Sequence, residues 1–469
     1  MEDYRKLLIE TIENNIQAHP EKVAYIIGEE RVSYAQMNLM AERIAANVKP
    51  QISNLKPQTS NHKSQNPTPA RIGICLPRHT HFVPCILAAV KLGCSYVPID
   101  TATPAERKKF IVEDAMLDFL ITEDNLSELL DKPQTSNLKS QTSNLKSQTS
   151  NSTEAYMIYT SGTTGQPKGV SLPYSALYSY LQTVSRPDGF NISERSIILQ
   201  FASINFDVSV LEIFSSLYYG ATLVIAQDEE RHNAQLLHDM MIRHHISYCF
   251  LPPSLLAVFP DYDFPDMDTL TAGGEAVPHS LAQKIAGKYT YRFVNGYGPT
   301  ENTVITTTHE IHGEDDWRNI GKPLPGVVCY VADGSGVLVK PGEKGELLIG
   351  GRQLAIGYWN RPEQNEQMFF ENPYEQEHDG IDVSRLYHSG DIVTLNEDGS
   401  FDYIGRADSQ IKFHGFRIEI GEIIARIEMY NRVARAFVRL EEFPNSEPQT
   451  SNLKPQTSNL KPQTSNLKS

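Results

Sequence analysis

Short apolar runs alternate along this chain with segments whose apolar residues recur at helical spacing. The run RIGICL at 71–76 predicts a strand, Phe82–Leu92 predicts a helix, and SYVPI at 95–99 predicts the next strand. Strands that alternate with helices in this way are typical of βαβ units, in which helices cover parallel sheets. By the same criterion we predict helices at 9–16, 41–48, 177–184, 207–219 and 234–245, and strands at 118–122, 155–159, 197–201, 222–226, 248–251 and 292–295.

The pattern changes near Val327, where helical spacing gives way to short apolar runs separated by glycine-rich turns. VVCYVAD, GELLIGG and FDYIG are the clearest of these runs, and they predict a small β-rich subdomain. We therefore predict an α/β protein whose large N-terminal domain, 1–404, combines βαβ-type parallel sheets with this subdomain. A small, truncated α/β C-terminal lobe is expected to follow over 405–444.

Three segments follow neither pattern and repeat a seven-residue polar unit instead. PQISNLKPQTSNHKSQNP occupies 50–67, a similar repeat occupies 133–151, and PQTSNLKPQTSNLKPQTSNLKS occupies 448–469. A coiled coil needs two apolar positions per heptad, whereas this unit has one leucine. Polar repeats that contain proline bury too little apolar surface to offset their conformational entropy. We therefore expect disordered insertions at about 50–69 and 132–152, and a disordered tail at 445–469.

The composition excludes several classes of partner. The chain has 469 residues and a formal net charge of -15, without a block rich in lysine and arginine, so nucleic acid and anionic membranes are not expected partners. The five cysteines lack C-x-x-C spacing, and their odd number argues against a disulfide framework. No apolar run reaches the ~18 residues that span a membrane, and the acidic start does not resemble a signal peptide. A reducing cytoplasm is the expected compartment.

The stretch AYMIYTSGTTGQPKGV at 155–170 carries the first indication of chemistry, because a predicted strand there ends in a run of small residues. Its glycines let the backbone turn tightly and approach a ligand closely. Successive backbone N–H groups in such a loop form an anion-binding concavity, to which the hydroxyls and Lys168 add donors and a positive charge. Lys168 is followed by glycine, so the loop is not a Walker A motif. The pattern predicts a phosphate-binding loop, with a polar surface loop as the alternative.

YTSGTTGQPKGV resembles the signature loop of the adenylate-forming superfamily, which includes acyl-CoA ligases, luciferases and the adenylation domains of nonribosomal peptide synthetases. Further motifs of this family occur in its order. They are RVSYAQM, LGCSYVPID, FDVSVLEIF, NGYGPTEN, GELLIGGRQLAIGYWNRPE, YHSGD and GRADSQIKFHGFRIEIGEI. The FDVSV and QIKFHGFRIEIGEI segments are most similar to those of amino-acid adenylation domains.

This resemblance implies a reaction in which a substrate carboxylate attacks the α-phosphorus of ATP, forms an acyl-adenylate and releases pyrophosphate. A thiol, usually the phosphopantetheine of a carrier protein, then takes the acyl group. Both reactants of the first step are anions, so catalysis depends on positioning and on charge neutralisation. The expected cofactors are ATP, Mg²⁺ and the phosphopantetheine of a partner carrier protein.

The resemblance also implies roles for individual residues around the phosphates. Ser161, Thr163 and Lys168 are expected to hold the β- and γ-phosphates, Thr300 the α-phosphate, and Glu301 a Mg²⁺ ion, which prefers oxygen ligands. Taken without its motif, Glu301 would be an ordinary acid in an exposed turn.

On the nucleoside side, the resemblance places Tyr297 along the adenine, Asp391 on both ribose hydroxyls and Arg406 on ribose or phosphate. Asp408 matches the hinge about which the family's small lobe rotates between the two half-reactions. Without the family, Tyr297 would be interpreted as a core aromatic and Asp391 as a turn residue. The expected nucleotide-binding set is completed by Thr160, Gly162, Thr164, Gly165, Gly274, Glu275 and Asn295.

Asp207 decides the expected class of substrate. It precedes a predicted helix, so N-capping is one role open to it. By resemblance it pairs instead with the α-ammonium of an amino acid, and plain carboxylic acids would be rejected because an unpaired buried carboxylate is costly. The other positions that match the family's pocket are apolar, which predicts a small or medium aliphatic amino acid; alanine is the first expectation, and valine, leucine and proline remain open. These positions are Val208, Leu211, Phe250, Leu270, Ala272, Gly296, Val304 and Ile305.

The chain departs from the family's pattern in the small lobe. Family members carry an N-G-K motif there, whose lysine bridges the substrate carboxylate and ATP, and no such motif follows Gly405. Loss of one preorganised positive donor is expected to cost on the order of 10²–10³ in rate. Three functions therefore stay open: an amino-acid adenylating enzyme that serves a carrier protein, a weakly active or inactive relic that only binds ATP or the aminoacyl-adenylate, and an acyl-CoA ligase for a plain carboxylic acid.

Overall fold

The computed structural model describes residues 3–53, 69–78, 80–131, 153–162, 166–186, 189–313, 317–374, 377–407, 410–413 and 416–420, with a few isolated positions further on. Strands alternate with helices over the first part of these ranges and predominate in the later part, which confirms the predicted α/β class. Most of the predicted C-terminal lobe and nearly all of the repeat segments lie outside the described residues.

The helices begin and end as follows: α1 (Tyr4–Ala18), α2 (Tyr34–Ser53), α3 (Phe82–Leu92), α4 (Ala105–Asp114), α5 (Glu123–Asp131), α6 (Tyr174–Val184), α7 (Val208–Tyr219), α8 (Asp228–Arg231), α9 (Ala234–Arg243), α10 (Pro253–Leu256), α11 (His279–Ile285) and α12 (Pro362–Met368). The predicted helices are confirmed, and α1 and α2 are longer than the periodicity indicated. Helix α2 continues through Pro50 to Ser53, so the first four residues of the segment expected to be a disordered insertion are helical.

The strands are β1 (Val23–Ile27), β2 (Glu30–Ser33), β3 (Arg71–Cys75), β4 (Ser95–Pro98), β5 (Phe119–Thr122), β6 (Glu154–Thr160), β7 (Lys168–Pro173), β8 (Ile197–Gln200), β9 (Thr222–Ile225), β10 (Tyr248–Leu251), β11 (Thr269–Gly273), β12 (Arg292–Tyr297), β13 (Thr307–Glu310), β14 (Asn319–Pro323), β15 (Val327–Ala332), β16 (Lys344–Gly351), β17 (Gly357–Tyr358), β18 (Phe369–Glu371), β19 (Glu377–His378), β20 (Ile381–Asp382), β21 (Arg385–Leu395), β22 (Phe401–Arg406), β23 (Gln410–Phe413) and β24 (Phe416–Glu419).

A six-stranded sheet carries the segment that was predicted to bind phosphate. Its order is β17-β7-β6-β4-β3-β5. The pairs β3–β4, β3–β5 and β4–β6 are parallel, whereas β7 joins β6 and β17 joins β7 in antiparallel orientation. The neighbouring helix α3 is apolar on nearly all sides and almost wholly buried, as expected of a helix enclosed by a large core.

A larger sheet has the order β15-β16-β21-β22-β14-β13-β12-β11-β10-β8-β9-β1-β2, with β18 attached to β21. The strands from β1 through β9, β8, β10 and β11 to β12 are parallel neighbours. Beyond β12 the pairing is antiparallel, through β13 and β14 into the strands of the β-rich region. The predicted β-rich region is therefore confirmed, but it continues the parallel sheet rather than forming a separate one.

The parallel strands of the larger sheet separate two hydrophobic cores. Tyr248 and Phe250 of β10 belong to the core shared with α6 and α7. Cys249 and Leu251, which alternate with them, belong to a second core under α9 and α11. This alternation decides which side chains of β10, β11 and β12 can face a site. Among the described residues, no helix is long and apolar enough to cross a membrane.

Candidate active site

A cavity of about 570 Å³ opens where the parallel strands β10, β11 and β12 end. The carboxyl ends of parallel strands are the usual place for a site in α/β sheets. Residues from both predicted sets line this cavity, so the structure brings the expected nucleotide and substrate ends together. These residues are Asp207, Val208, Phe250, Gly274, Gly296, Thr300, Val304, Ile305, Asp391 and Arg406.

Asp391 is the centre of the hydrogen bonds at the predicted nucleotide end. The Tyr297 hydroxyl donates to its Oδ2 at 2.5 Å, and Arg406 Nη1 donates to its Oδ1 at 3.1 Å. Asp391 and Arg406 are direct partners in the antiparallel pair β21–β22, so the strand register itself places the guanidinium beside the carboxylate. Burial, followed by the charge of Asp391, raises the pKa of Tyr297 well above its ordinary value. Tyr297 is therefore a neutral hydrogen-bond donor.

The predicted phosphate loop connects β6 and β7, which form an antiparallel hairpin in which Thr160 pairs with Lys168. Gly162 is required here, because a Cβ at this position would lie 2.2 Å from the carbonyl oxygen of Gln166. Ser161 lies between Thr160 and this glycine. The remaining predicted loop residues, Thr163, Thr164 and Gly165, lie outside the described residues.

Lys168 reaches from this hairpin to the 3₁₀ turn of Thr300–Asn302. Its Nζ lies 3.7 Å from Glu301 Oε1, and Glu301 is fully buried. The Tyr358 hydroxyl donates to the same Oε1 at 2.6 Å, and Lys168 Nζ lies 4.0 Å from the centre of the Tyr358 ring. Lys168, Glu301 and Tyr358 therefore contact one another pairwise. Tyr358 belongs to the GYWNRPE segment, and the sequence alone indicated no role for it.

Asp207 lies at the start of α7 and is only 8% exposed. Its side chain makes no capping hydrogen bond to the helix, so the N-capping alternative is not what the structure shows. Burial raises the pKa values of Tyr156 and Tyr180 well above normal, and Asp207 is among the charges that add to both shifts. The carboxylate of Asp207 therefore lies near two neutral phenols at the wall of the cavity.

Side chains along β11 and β12 alternate between the two faces of the sheet, so only some of the predicted pocket residues lie on the face that carries the cavity. A Cβ on Gly296 would lie 3.1 Å from Ile305 Cδ1, 3.1 Å from Thr271 Cγ2 and 3.4 Å from Phe250 Cε2, so these side chains share the cavity's face of the sheet. Thr271 pairs directly with Phe250 and was not predicted. Its alternation with apolar neighbours was the signal in the sequence, since adjacent strand residues face opposite sides.

Three predicted pocket residues, Leu211, Leu270 and Ala272, and the predicted nucleotide residue Asn295 are among those that do not line the cavity. Leu270 and Ala272 face the second core, because they alternate along β11 with Thr271 and Gly273, which lie on the other face of the sheet. Asn295 pairs with Ala272, and its amide donates to the carbonyl oxygen of Asn319 at 2.9 Å, which links β12 to β14. Leu211 is fully buried in the core under α7.

The other predicted residues have mixed outcomes. Glu275 accepts a hydrogen bond from Ser254 Oγ at 3.1 Å, next to the cavity-lining Gly274. Asp408, the predicted hinge, lies outside the described residues. Several lining residues were not anticipated, namely Phe201, Ala202, Ser203, Arg231, His232 and Gln410.

Comparison with known proteins gives the family. The profile of the AMP-binding enzyme family matches residues 12–359, and the chain belongs to that family. Its relatives include two polypeptides of the linear gramicidin synthase of Brevibacillus parabrevis, one 35% identical over 437 residues and the other 36% identical over 459. These alignments cover 92% and 94% of this chain but 5% and 8% of the relatives, so the chain matches a small part of much longer synthetases.

Solved structures agree with this assignment. A four-domain nonribosomal peptide synthetase, holo-AB3403, was solved bound to AMP and glycine; it shares 28% identity and a TM-score of 0.72 over 92% of this chain and 31% of its own. NpsA-ThdA, an artificially fused adenylation–PCP di-domain from Klebsiella oxytoca, has the same fold, with a TM-score of 0.74 over 93% of this chain and 86% of its own at 24% identity. The chain is thus an AMP-binding enzyme of the adenylation-domain type.

Proposed function

We propose that this protein activates an amino acid with ATP as an aminoacyl-adenylate and transfers it to the phosphopantetheine thiol of a carrier protein. The observation that carries the proposal is that Asp207 and Asp391 line one continuous cavity. Asp391 suits the ribose hydroxyls, since a carboxylate accepts hydrogen bonds at both oxygens. Asp207 suits an ammonium group at the other end. One aminoacyl-adenylate bound in the cavity would then extend from Asp391 at its ribose to Asp207 at its ammonium group.

The phosphates of ATP are expected between the hairpin loop and Glu301. Lys168 supplies positive charge there, and Thr300 lies at the cavity wall. Mg²⁺ is commonly held by one or two carboxylates together with substrate phosphates, so the single buried carboxylate of Glu301 fits this ion. Bound magnesium would neutralise phosphate charge, while Lys168 and Tyr358 keep the Glu301 carboxylate oriented.

The substrate side chain is expected against Val208, Phe250, Val304 and Ile305, which are apolar and line the cavity. A small or medium aliphatic amino acid fits such walls, with alanine as the first expectation. Thr271 is fully buried on the same face of the sheet, behind Gly296, and carries a hydroxyl that none of these four residues has. A cavity of this kind separates homologues that differ by one methylene by ~1–3 kcal/mol.

Two further steps belong to the same proposal. Transfer to the carrier thiol is expected to require rotation of the segment after Arg406 about Asp408. We place both half-reactions in the cytoplasm, since the cysteines that the structure describes are free thiols and fit a reducing compartment.

The test is amino-acid-dependent exchange of labelled pyrophosphate into ATP, measured over the proteinogenic amino acids and their matching plain acids. Asp207→Asn keeps the shape of the side chain and removes its charge. We expect kcat/KM for the preferred amino acid to fall about 100-fold or more, because the ammonium loses a buried partner. Asp261→Asn, which changes an exposed aspartate bonded to His238, is the matched control and should leave exchange unchanged.

The outcomes separate the three candidate functions. Exchange with one amino acid, lost in Asp207→Asn, supports amino-acid adenylation. Activity on plain acids that survives Asp207→Asn would show an acyl-CoA ligase instead. Binding of ATP without exchange for any amino acid would show a binding module.

A further inference from the structure

The end of β8 lies between two side chains of opposite charge that the predicted site does not use, the fully buried Glu212 and the partly buried Arg78. Glu212, in the second turn of α7, accepts hydrogen bonds at Oε1 from the backbone N–H groups of Phe201 and Ala202, each at 3.1 Å. Its Oε2 accepts from Gln200 Nε2 at 2.8 Å. One carboxylate therefore binds three consecutive residues where the strand ends.

Arg78 binds the same segment by donating hydrogen bonds to the carbonyl oxygens of that segment. Its Nη2 donates to the carbonyl oxygens of Phe201 at 2.6 Å and Ala202 at 2.5 Å, and its Nη1 donates to Gln200 Oε1 at 2.6 Å. Every main-chain polar group of Phe201 and Ala202 thus has a charged partner. We call Arg78, Gln200 and Glu212 the β8 clamp.

The β8 clamp is built from costly groups. Glu212 is fully buried, and burial raises the pKa of its carboxyl to about 7. Burial, and after it the charge of Arg231, lower the pKa of Arg78 to about 10. Buried charges destabilise a fold unless they are fully hydrogen-bonded, and apolar residues of similar volume often serve stability equally well. Stability alone is therefore a weak reason for this arrangement.

The segment that the β8 clamp holds is a wall of the cavity. Phe201, Ala202 and Ser203 all line it. A tight turn follows, in which Phe206 N donates to the Ser203 carbonyl at 2.8 Å, and Ser203 Oγ donates to Asp100 Oδ2 at 2.8 Å. Asp207 comes directly after this turn. The path from the clamp to the Asp207 carboxylate is therefore short and hydrogen-bonded throughout.

We propose that Glu212 and Arg78 are positioning residues for the amino-acid end of the site: they fix the wall at Phe201–Ser203 and thereby the placement of Asp207. The inference rests on the proposed function in one respect, that the ligand at this end is an amino acid. The clamp acts on this end because the nucleotide end is built from other strands, β12, β21 and β22.

The first test measures the clamp without relying on activity. Hydrogen–deuterium exchange of the peptide covering 197–207 is followed in the full-length wild-type chain, in Glu212→Gln and in Glu212→Leu. Gln keeps one side-chain oxygen, which can accept from the backbone N–H groups of Phe201 and Ala202, but it places an NH₂ group opposite the Gln200 amide donor. Leu has no hydrogen-bond acceptor in its side chain. We expect exchange to become faster in the order wild type, Gln, Leu. Unchanged protection in folded Glu212→Leu would overturn the clamp.

The second test separates positioning from plain structural support. In pyrophosphate exchange, Glu212→Gln should raise the KM for the amino acid about 10-fold, the effect of losing ~1.4 kcal/mol, and leave the KM for ATP within about twofold. Glu154→Gln is the matched control, since Glu154 is another buried carboxylate and pairs with Arg71 at 2.8 Å in the other sheet. It should lower the melting temperature and leave both KM values unchanged.

The results are distinguishable from failure of the proposed function. Faster deuterium exchange of 197–207 together with an unchanged KM for the amino acid would refute the positioning role of Glu212. An equal rise in the KM values for the amino acid and for ATP would refute it too. If the wild-type chain activates no amino acid, the proposed function fails and the positioning inference fails with it, even where the deuterium experiment still shows the clamp. Recovery of the amino-acid KM in Glu212→Asp relative to Glu212→Leu would support the carboxylate as the group that matters.

Discussion

The two ends of the cavity are built in opposite ways. At the proposed nucleotide end, Asp391 already accepts hydrogen bonds from Tyr297 and Arg406, and Lys168 faces Glu301. At the amino-acid end, one carboxylate, Asp207, stands beside apolar walls. Polar side chains that are hydrogen-bonded to one another keep the same positions whichever amino acid is bound. Apolar walls, in contrast, distinguish amino acids by the size of the side chain. We therefore expect changes at the first end to affect all amino acids alike, and changes at the second to alter the choice among them.

Lys168→Met is expected to give the largest effect and to leave selectivity intact. It removes the charge opposite Glu301 and the predicted phosphate contact, so kcat for exchange should fall ~10²–10³-fold for every accepted amino acid. The ratio of kcat/KM between two amino acids should stay constant. Lys109→Met, which changes an exposed lysine, is the control. If the loss of kcat/KM differed tenfold between two amino acids, the proposed difference between the two ends of the cavity would be wrong.

Asp391→Asn is expected to have a smaller effect, expressed in nucleotide binding. The ribose loses one charged acceptor, a hydrogen bond of ~1.5–3 kcal/mol, so the KM for ATP should rise ~10- to 100-fold, and Arg406 also loses its charged partner. The KM for the amino acid should not change. Exchange kinetics at varied ATP provide the measurement, with Asp398→Asn in an exposed turn as control. A matching rise in the amino-acid KM would mean that the ends are coupled.

Sequence reasoning predicted these two ends unequally well. The residues proposed to bind the nucleotide stand in contiguous motifs, so GYGPTE and SGD indicate Tyr297, Thr300, Glu301 and Asp391 directly. Their contacts are long-range, and Tyr297 and Asp391 are 94 residues apart, which no local pattern reveals. Tyr358 was missed for the same reason.

At the proposed amino-acid end, the structure differs from the prediction in the face of β11 that two residues occupy. Leu270 and Ala272 were assigned to the pocket, whereas the strand alternates and places Thr271 on the face that carries Phe250 and Gly296. A shift of one residue moves every side chain of a strand to the opposite face, so pocket positions on β11 depend on pairing with β10 and β12. Asp207 and Phe250 both line the cavity, and Asp207 does not depend on strand register because it lies at the start of α7. Helix and strand positions were predicted well because each rests on its own local periodicity.

Gly296→Ala should change selectivity without changing catalysis. Its added methyl group would lie 3.1 Å from Ile305 Cδ1 and from Thr271 Cγ2, which shortens the space for the substrate side chain. We expect the kcat/KM ratio to shift ~10-fold toward the smaller of two aliphatic amino acids. Ile305→Ala removes bulk from the same face and should shift the ratio the other way. Equal losses for both amino acids in both variants would show that this face does not contact the side chain.

Thr271→Val is expected to give the smallest effect, and it tests whether the amino-acid end is apolar in function as well as in composition. Valine matches threonine in shape and lacks the hydroxyl, and Thr271 is fully buried on the face that carries Phe250 and Gly296. For an aliphatic substrate, kcat/KM should stay within about threefold, because no hydrogen bond to the side chain is lost. For a substrate whose side chain bonds to this hydroxyl, the loss should reach ~10-fold, the upper range for one neutral hydrogen bond. Exchange kinetics with alanine, valine, serine and threonine decide between the two, and a selective loss for the hydroxylated pair would replace the aliphatic assignment.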